Sequence, residues 1–296
     1  MTELVVISGK GGTGKTSLLA SFAVLARQAV LADCDVDAAD LHLVLEPQIR
    51  RRQVFTGGKK ARIKPGHCTA CGKCEELCRF DAIFFDGPGN GRVPRTFRVD
   101  PAACEGCGVC VHFCAEKAIE LTPSVDGEWF VSDTSCGPMV HAQLGVGAGN
   151  SGKLVTIVRA EAQRIAKERG GSLILVDGSP GIGCPVIASI AGASRILAVT
   201  EPTLSGEHDL ERVLRLTRHF GIPTMVCVNK WNLNAEIAQR IEDRAVSTGS
   251  SILPRVPYDP AITDAQRKGV AVVEFGDTPA AQAIQQGWTA LCQNLT

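Results

Sequence analysis

The segment from Gly9 to Thr16 constrains the fold of this chain more than any other, because it reads Gly-Lys-Gly-Gly-Thr-Gly-Lys-Thr. It follows the apolar run Leu4–Ile7 and opens a helical pattern near Lys15. Glycines at such a junction let backbone N–H groups turn inward at a helix N-terminus and bind an anion. The pattern G-x-x-x-x-G-K-T therefore predicts a phosphate-binding loop, with Lys15 on the β- and γ-phosphates and the Thr16 hydroxyl on Mg²⁺. An ordinary glycine-rich turn is disfavoured because motif and context agree.

Apolar runs alternate with amphipathic stretches at both ends of the chain. The runs are rich in Val, Ile and Leu, as strands buried on both faces of a parallel sheet are, and they cover Leu4–Ile7, Ala29–Ala32, Leu173–Val176, Ile196–Val199 and Thr224–Val228. The helical patterns cover Lys15–Ala26, Leu154–Arg169, His208–Phe220, Ala235–Thr248 and a final stretch from Pro279 to Asn294. We therefore expect an α/β protein with a doubly wound, mostly parallel sheet.

The alternation stops between about Gln53 and Leu121, where eight of the 13 cysteines lie. This change predicts a second, smaller domain inserted into the first domain. The expected division is 1–52 and 122–296 for the two parts of the phosphate-loop domain and 53–121 for the insert. The basic stretch Arg50–Lys64, which contains no acidic residue, fits either a solvated linker or a docking surface for an acidic redox partner.

The cysteines of the insert form an internal repeat, in which Cys104 follows Cys68 by 36 residues. Both halves have the C-x₂-C-x₂-C-x₃-C spacing of bacterial ferredoxins, whose fourth cysteine binds the other cluster. The spacing predicts two 4Fe–4S clusters, one on Cys68, Cys71, Cys74 and Cys114 and the other on Cys104, Cys107, Cys110 and Cys78. The resemblance to bacterial ferredoxins implies that the insert is a small α+β ferredoxin-like domain. Zinc also binds C-x₂-C pairs, but two complete four-cysteine runs in tandem disfavour it.

A second lysine in the phosphate loop, Lys10, is similar to the lysine found there in the MinD/ParA/Mrp group of P-loop ATPases. With the cysteine repeat, nearly the whole chain resembles the members of that group that carry a ferredoxin insert. The resemblance implies an enzyme that hydrolyses ATP with Mg²⁺ as an ATP-dependent dimer, either a homodimer or a heterodimer with a related ATPase. It also implies that Lys10 reaches across the dimer to the nucleotide of the partner.

Polar residues follow three of the predicted strands. The resemblance implies that Asp33 supports the Mg²⁺ shell, that Asp35 orients the attacking water and that Asn229 contacts the adenine edge. Asp177 follows an apolar strand in a chain with a phosphate loop, which is typical of a Walker B acid. Asn232 stands where G proteins carry the guanine-binding Asp, which favours ATP over GTP.

The predicted site therefore has two overlapping sets of residues. Lys10, Lys15 and Asp35 are the predicted catalytic residues. The residues predicted to bind ATP and Mg²⁺ are Gly9, Gly11, Gly12, Thr13, Gly14, Lys15, Thr16, Ser17, Asp33, Asp177 and Asn229. His141 and Lys153 are interpreted either as contacts for a partner or nucleotide, or as structural residues.

Charge and cysteine content narrow the functional class further. Lys plus Arg and Asp plus Glu both number 31, so the net charge gives no indication of nucleic-acid binding. We predict no membrane-spanning helix, and the C-terminal pattern lacks the Lys and Arg of a membrane-binding helix. The start of the chain lacks the features of a signal peptide, and an odd number of cysteines disfavours a disulfide framework. These features together predict a cytoplasmic location.

The sequence thus predicts a Mg-dependent ATPase coupled to iron–sulfur redox chemistry. One role is metal-cluster assembly or maturation, and a second is ATP-gated electron transfer to a redox or metal-cofactor client protein. The first lacks the usual C-terminal Cys-x-x-Cys motif, whereas two clusters already in the chain favour the second. The alternative is a ParA/MinD-like partitioning or scaffolding ATPase that uses the clusters as redox sensors.

Overall fold

The computed structural model describes residues 1–145, 148–149, 151–171 and 173–295. The chain divides into two compact units. The larger unit comprises Met1–Gln53, Trp129–Gln143 and Ser151–Thr296, and the smaller one comprises Val54–Glu128 and Leu144–Asn150.

The secondary structure follows the chain through both units. The first elements are β1 (Glu3–Ser8), α1 (Lys15–Ala26), β2 (Val30–Asp33), α2 (His42–Leu45) and β3 (Gln48–Ile63). A 3₁₀ turn at Pro65–His67 is followed by α3 (Lys73–Glu76), β4 (Ile83–Gly87), β5 (Thr96–Val99) and α4 (Val109–His112). The chain returns along β6 (Ile119–Thr134) to β7 (Gly137–Leu144), α5 (Ser151–Glu168), β8 (Ile174–Pro180), α6 (Cys184–Ile190), β9 (Arg195–Thr200) and α7 (Leu204–His219). The last elements are β10 (Thr224–Val228), a 3₁₀ turn at Trp231–Leu233, α8 (Ala235–Ser247), β11 (Ser251–Ile252), α9 (Pro260–Arg267), α10 (Val272–Phe275) and α11 (Pro279–Leu295).

One sheet of nine strands has the order β11-β10-β9-β1-β8-β2-β7-β6-β3. The strand pairs from β11 to β7 run parallel. The five strands predicted from apolar runs are five consecutive members of this sheet, from β10 to β2. The prediction of an α/β fold with a mostly parallel sheet is therefore confirmed.

The central strand β1 shows why apolar runs predicted these strands well. All four side chains from Leu4 to Ile7 are completely buried. Leu4 and Val6 join a core with α1 and α11, where the rings of Phe22 and Trp288 lie 5.3 Å apart. Because successive side chains of a strand point to opposite faces, the equally buried alternate positions are covered from the other face. The C-terminal helix α11 is packed against α1 by the same contacts.

The interpretation of Arg50–Lys64 as a solvated linker is wrong, because nearly all of this stretch lies in strand β3. Its charge run masked the strand signal, but several of the basic side chains have partners. Arg50 Nε donates to a carboxylate oxygen of Asp133 at 2.6 Å, and Arg51 pairs with Glu161. These positive charges are compatible with a strand because acidic side chains of other elements pair with them. The alternative interpretation, a docking surface, stays a prediction.

The smaller unit has its own core and a two-stranded antiparallel sheet of β4 and β5. The core is formed by apolar side chains and two cysteines, namely Ala61, Ile63, Cys68, Ala82, Ile83, Phe97, Cys104, Ala118 and Ile119. Two cysteines of the repeat are therefore part of the core of this unit.

The two halves of the cysteine repeat have matching backbones. Short helices begin directly after Gly72 and after Gly108. Left-handed φ angles recur at positions 36 residues apart: Ala70 and Gly106 (57° and 64°), Gly72 and Gly108 (80° and 78°), Asp81 and Lys117 (48° each). The sequence repeat is therefore a structural repeat, including left-handed positions that non-glycine residues adopt only rarely.

No helix among the described residues combines the length and the apolar character needed to cross a membrane.

His141 lies in the interior of the larger unit, which favours a structural role over contact with a nucleotide or partner. Its side chain is 8% exposed, its Nε2 lies 2.9 Å from the Ser132 hydroxyl, and its ring stacks on Phe130. Burial, together with the nearby His42, lowers the pKa of His141 to about 4. The neutral imidazole is thus the form that fits this site.

We predict that His141→Gln reduces the loss of stability of this protein in acid. Between about pH 6.5 and the lowered pKa, the unfolded chain binds a proton that the folded chain excludes. The contribution of the neutral ring to the free energy of unfolding therefore falls as the pH decreases, by up to about 1.4 kcal/mol per pH unit. Urea unfolding at pH 7 and pH 4.5 measures this slope, which we expect to be shallower in the variant. The exposed His219→Gln serves as control, and an unchanged slope in His141→Gln would contradict the prediction.

Candidate functional site

The phosphate loop connects β1 to α1 at the carboxyl edge of the sheet. Gly12 and Gly14 have φ angles of 78° and 88°, which is the left-handed region. A Cβ at Gly14 would also lie 2.2 Å from the amide nitrogen of Asn229. Glycine is therefore required at this position both by its backbone conformation and by the close approach of Asn229.

The predicted catalytic lysine of this loop lies between two carboxylates. Lys15 Nζ is 2.5 Å from Asp177 and 3.4 Å from Asp35, and only 6% of its side chain is exposed. The Thr16 hydroxyl donates to the other oxygen of Asp177 at 2.7 Å. These side chains meet because β1 and β2 both pair with β8 and end at the same edge. Phosphate oxygens at this edge would compete with the two carboxylates for the same ammonium group.

Asp33 and Asp177 face each other as direct partners in the parallel pair of β2 and β8. Asp33 accepts hydrogen bonds from the backbone N–H groups of Asp35 and Leu41, at 3.1 and 3.3 Å. Burial and the charge of Asp177 raise the pKa of Asp33 well above its usual range. Two buried carboxylates at adjacent strand ends provide a strongly negative environment, which is suited to a cation.

Burial alone would lower the pKa of Lys15, but the carboxylates of Asp177 and Asp35 hold it above its ordinary value. Burial also raises the pKa of Asp35, and the charge of Lys15 opposes this rise only in part. Lys15 is therefore fully charged at neutral pH, as electrostatic stabilisation of a phosphoryl group requires.

A cavity of about 440 Å³ extends from the loop along the carboxyl edge. Residues from Gly11 to Ser17 line one side, and Asn229, Lys230, Tyr258 and Gln266 line another. The Thr13 hydroxyl beside it is buried without a hydrogen-bond partner. Loop, charge and an unsatisfied donor together fit a nucleotide with its phosphates on the loop.

Asn229 holds the loop in place in addition to lining this cavity. Its amide nitrogen donates to the carbonyl of Thr13 at 2.8 Å, and its oxygen accepts from the backbone N–H of Lys230. Asn232 binds the backbone N–H of Tyr258 at 2.6 Å, which ties the Tyr258 segment to the same edge. The predicted contact of Asn229 with adenine stays a prediction.

Lys10 is paired within its own chain. Its Nζ lies 2.7 Å from Glu201 and 2.9 Å from the Ser205 hydroxyl. Lys230 binds the second oxygen of Glu201 at 3.1 Å and the Gly12 carbonyl at 3.0 Å. Burial alone would raise the pKa of Glu201, but hydrogen bonds from both lysines hold it below its usual range. One carboxylate thus fixes two lysines beside the phosphate loop.

The eight cysteines of the repeat surround two cavities in the smaller unit. The first, here the Cys68 cavity, is lined by Cys68, Cys71, Cys74, Cys110 and Cys114. The second, here the Cys104 cavity, is lined by Cys78, Cys104, Cys107 and Cys110. The remaining lining of both is largely apolar. The structure thus brings the fourth cysteine of each half to the cavity of the other half.

Backbone N–H groups point at several of the cysteine sulfurs. The N–H of Ala82 donates to Cys78 Sγ at 3.4 Å, and four residues after Cys114 the N–H of Ala118 does the same at 3.3 Å. Burial raises the pKa of Cys74 to about 11, and the neighbouring thiols Cys68 and Cys71 raise it as well. Deprotonation of such a group of thiols requires a compensating cation.

Within the described ranges, no group of three or more His, Cys, Asp or Glu residues could hold a single metal ion. The Mg²⁺ predicted at the loop does not need such a group, since Thr16 and phosphate oxygens supply ligands.

Comparison with known proteins assigns the nucleotide-binding part to a class. Residues 4–272 match the family described as the CobQ/CobB/MinD/ParA nucleotide-binding domain. An uncharacterised protein of Methanocaldococcus jannaschii is 32% identical over 235 residues, which are 78% of this chain and 79% of that protein.

Two solved structures have the same fold over nearly their whole length. The septum site-determining protein MinD of Pyrococcus horikoshii, complexed with Mg-ADP, is 18% identical with a TM-score of 0.58 over 98% of this chain and 96% of its own. The cell division ATPase MinD of Pyrococcus furiosus is 18% identical with a TM-score of 0.59 over 99% of both chains.

The chain is thus a P-loop nucleotide-binding protein of the α/β class. It belongs to the CobQ/CobB/MinD/ParA family, whose MinD members include an ATPase. The match describes the nucleotide-binding domain and does not identify the cysteine-rich unit as a ferredoxin, which stays a prediction.

Glu201, Lys230 and Gln266 were not predicted from the sequence. Glu201 pairs with Lys10 of the loop, Lys230 binds the Gly12 carbonyl, and Gln266 lines the cavity and binds the Ser17 hydroxyl. The signal for the first two was position, since Glu201 follows β9 and Lys230 lies two residues after β10 at the same sheet edge.

We predict that Lys15→Met lowers ATP hydrolysis by about 100-fold or more. The variant keeps the aliphatic stem but removes the charge that a phosphoryl group needs, and it leaves Asp177 and Asp35 without their cation. Phosphate release measures the rate, and circular dichroism checks the fold. Lys167→Met, at an exposed position on α5, is the matched control. Hydrolysis within about threefold of the wild-type rate would contradict this role for Lys15.

Proposed function

We propose that this protein hydrolyses ATP with Mg²⁺ and that its smaller unit holds two 4Fe–4S clusters. The ATP cycle would then be coupled to redox chemistry, either in metal-cluster assembly or in ATP-gated electron transfer to a partner protein. The observation that carries the proposal is the presence, in one chain, of the Lys15–Asp177 site and of two cavities, each of which is lined by all four cysteines predicted to bind one cluster.

The ATPase part of the proposal is supported by charge and position. Phosphoryl transfer depends mainly on positioning and on electrostatic stabilisation. Lys15 and the loop N–H groups would hold the β- and γ-phosphates, while Asp35, which lines the same cavity, would orient a water toward the γ-phosphate. Bound Mg²⁺, held through the Thr16 hydroxyl and supported by Asp33 and Asp177, would neutralise charge on the phosphates.

The dimer remains part of the proposal, with a homodimer and a heterodimer both open. For Lys10 to reach the nucleotide of a partner, its pair with Glu201 must open. Because Glu201 also binds Lys230, it would retain a cation after Lys10 leaves. The rearrangement would therefore leave no unpaired carboxylate beside the loop.

The redox part is supported by the arrangement of the cysteines. A 4Fe–4S cluster takes one thiolate per iron, so its four ligands spread around a volume and do not converge on one ion. Apolar cavities with cysteines around their walls and N–H groups aimed at the sulfurs suit this arrangement. Zinc is less suited, because two complete four-cysteine runs stand in tandem in the sequence.

The exchange of the fourth cysteine between the halves gives the sharpest test of the clusters. In a Cys104→Ser/Cys107→Ser background, we expect one cluster with about four iron atoms per chain. Adding Cys114→Ser should remove it, because Cys114 lines the Cys68 cavity. Adding Cys78→Ser is the matched control and should leave it. Iron and sulfide analysis of anaerobically purified protein measures both, and the reverse dependence would contradict the exchange.

Coupling between the two sites is tested by the cluster reduction potentials without nucleotide, with ADP and with a slowly hydrolysed ATP analogue. We expect a shift with nucleotide, since linkage is reciprocal and reduction would then alter nucleotide affinity. Lys15→Met should weaken this response. Reduction potentials that do not change when nucleotide binds would instead favour the alternative of a scaffolding ATPase with clusters as sensors.

A further inference from the structure

The two halves of the cysteine repeat differ in the side chain that binds the backbone carbonyl of their first cysteine. Cys68 and Cys104 are the first cysteines of their halves, and the backbone carbonyl of each accepts a hydrogen bond from a side chain. At Cys104 the donor is the ammonium group of Lys60, at 2.6 Å. At Cys68 the donor is the amide nitrogen of Asn90, at 2.8 Å. A cation therefore stands in one half where a neutral group stands in the other.

The ammonium group of Lys60 is held in place beside the Cys104 cavity. Lys60 lies in strand β3 and is partly buried, and the next residue, Ala61, donates its backbone N–H to Cys104 Sγ at 3.5 Å. The same two-residue segment thus contacts both the carbonyl and the sulfur of one predicted ligand. Asn90 is equally fixed, because its amide nitrogen also binds the Pro65 carbonyl at 2.6 Å.

Other charges along the two cavities do not cancel this difference. Lys73 and Glu116 line the Cys68 cavity and have opposite signs, and Glu105 lines the Cys104 cavity. All three side chains are exposed to solvent, which screens them. Lys60 is less exposed and is bonded directly to a ligand residue, so its charge acts through a lower dielectric.

We propose that Lys60 raises the reduction potential of the cluster held by Cys78, Cys104, Cys107 and Cys110 above that of the other cluster, so that the first electron resides there. The inference rests on the two clusters proposed above. Reduction of each cluster adds one electron to an already anionic thiolate-ligated centre, with no bond made or broken at the protein. A fixed positive charge stabilises the more negative, reduced form, whereas the neutral amide of Asn90 does so less.

The test is a reductive titration of the full chain with dithionite, followed by electron paramagnetic resonance. The variant Cys68→Ser/Cys71→Ser should keep only the cluster in the Cys104 cavity, here the Cys104 cluster. The variant Cys104→Ser/Cys107→Ser should keep only the cluster in the Cys68 cavity, here the Cys68 cluster. Lys60→Met is placed in each background. Lys60→Arg keeps the charge, and Lys59→Met removes an exposed charge from the adjacent residue of the same strand.

We expect Lys60→Met to lower the midpoint potential of the Cys104 cluster and to leave the midpoint potential of the Cys68 cluster unchanged. Lys60→Arg should restore the potential, and Lys59→Met should have little effect on it. Equal shifts in both clusters, no shift, or a shift as large with Lys59→Met would overturn the assignment of Lys60. If either background fails to fold, the intact chain gives the same answer, because only one of its two reduction steps should move.

The two levels of the proposal fail in distinguishable ways. Wild-type protein without iron and sulfide would overturn the clusters, and the role of Lys60 with them. Wild-type protein with two clusters whose potentials ignore Lys60→Met would overturn only the role of Lys60. A merely structural Lys60 would change cluster content or stability and would not selectively move one potential.

Discussion

The nucleotide site depends on one interaction, the burial of the Lys15 ammonium group between Asp177 and Asp35. A charge this well buried is stable only with partners, and the carboxylates in turn need the cation. The sheet makes the group possible, because β1, β8 and β2 are adjacent parallel strands whose carboxyl ends share one edge. The loop conformation, the proposed Mg²⁺ site and the proposed catalytic charge thus depend on one packing arrangement.

The smaller unit places eight cysteines around two cavities with little secondary structure. It does so with a repeated backbone that has left-handed residues at equivalent positions, and with apolar side chains around the cysteines. A repeat of this kind places two sites in equivalent surroundings by default. Differences between the sites then come from side chains, and Lys60 and Asn90, which lie outside the repeat, are one such difference.

Much of the fold could be predicted from the sequence, and the failures have physical causes. Strands from β10 to β2 were predictable because they are buried on both faces and their side chains are almost all apolar. Strand β3 was not, because it is an edge strand whose charged side chains are neutralised by residues distant in sequence. In the site, the loop residues were predictable from a contiguous motif. The bond from Asn229 to Thr13 joins residues 216 positions apart, and no local pattern reports such a contact.

Nucleotide could influence the proposed clusters only if the protein binds nucleotide with different affinity when the clusters are oxidised and when they are reduced. In the chain, Asp35 lies two residues after the end of β2, and the next strand, β3, carries Lys60. The nucleotide cavity includes Asp35, Ala38 and Asp40 from the segment that joins these strands. The coupling proposed above would therefore have to begin in this segment, because it both lines the nucleotide cavity and precedes the strand that carries Lys60.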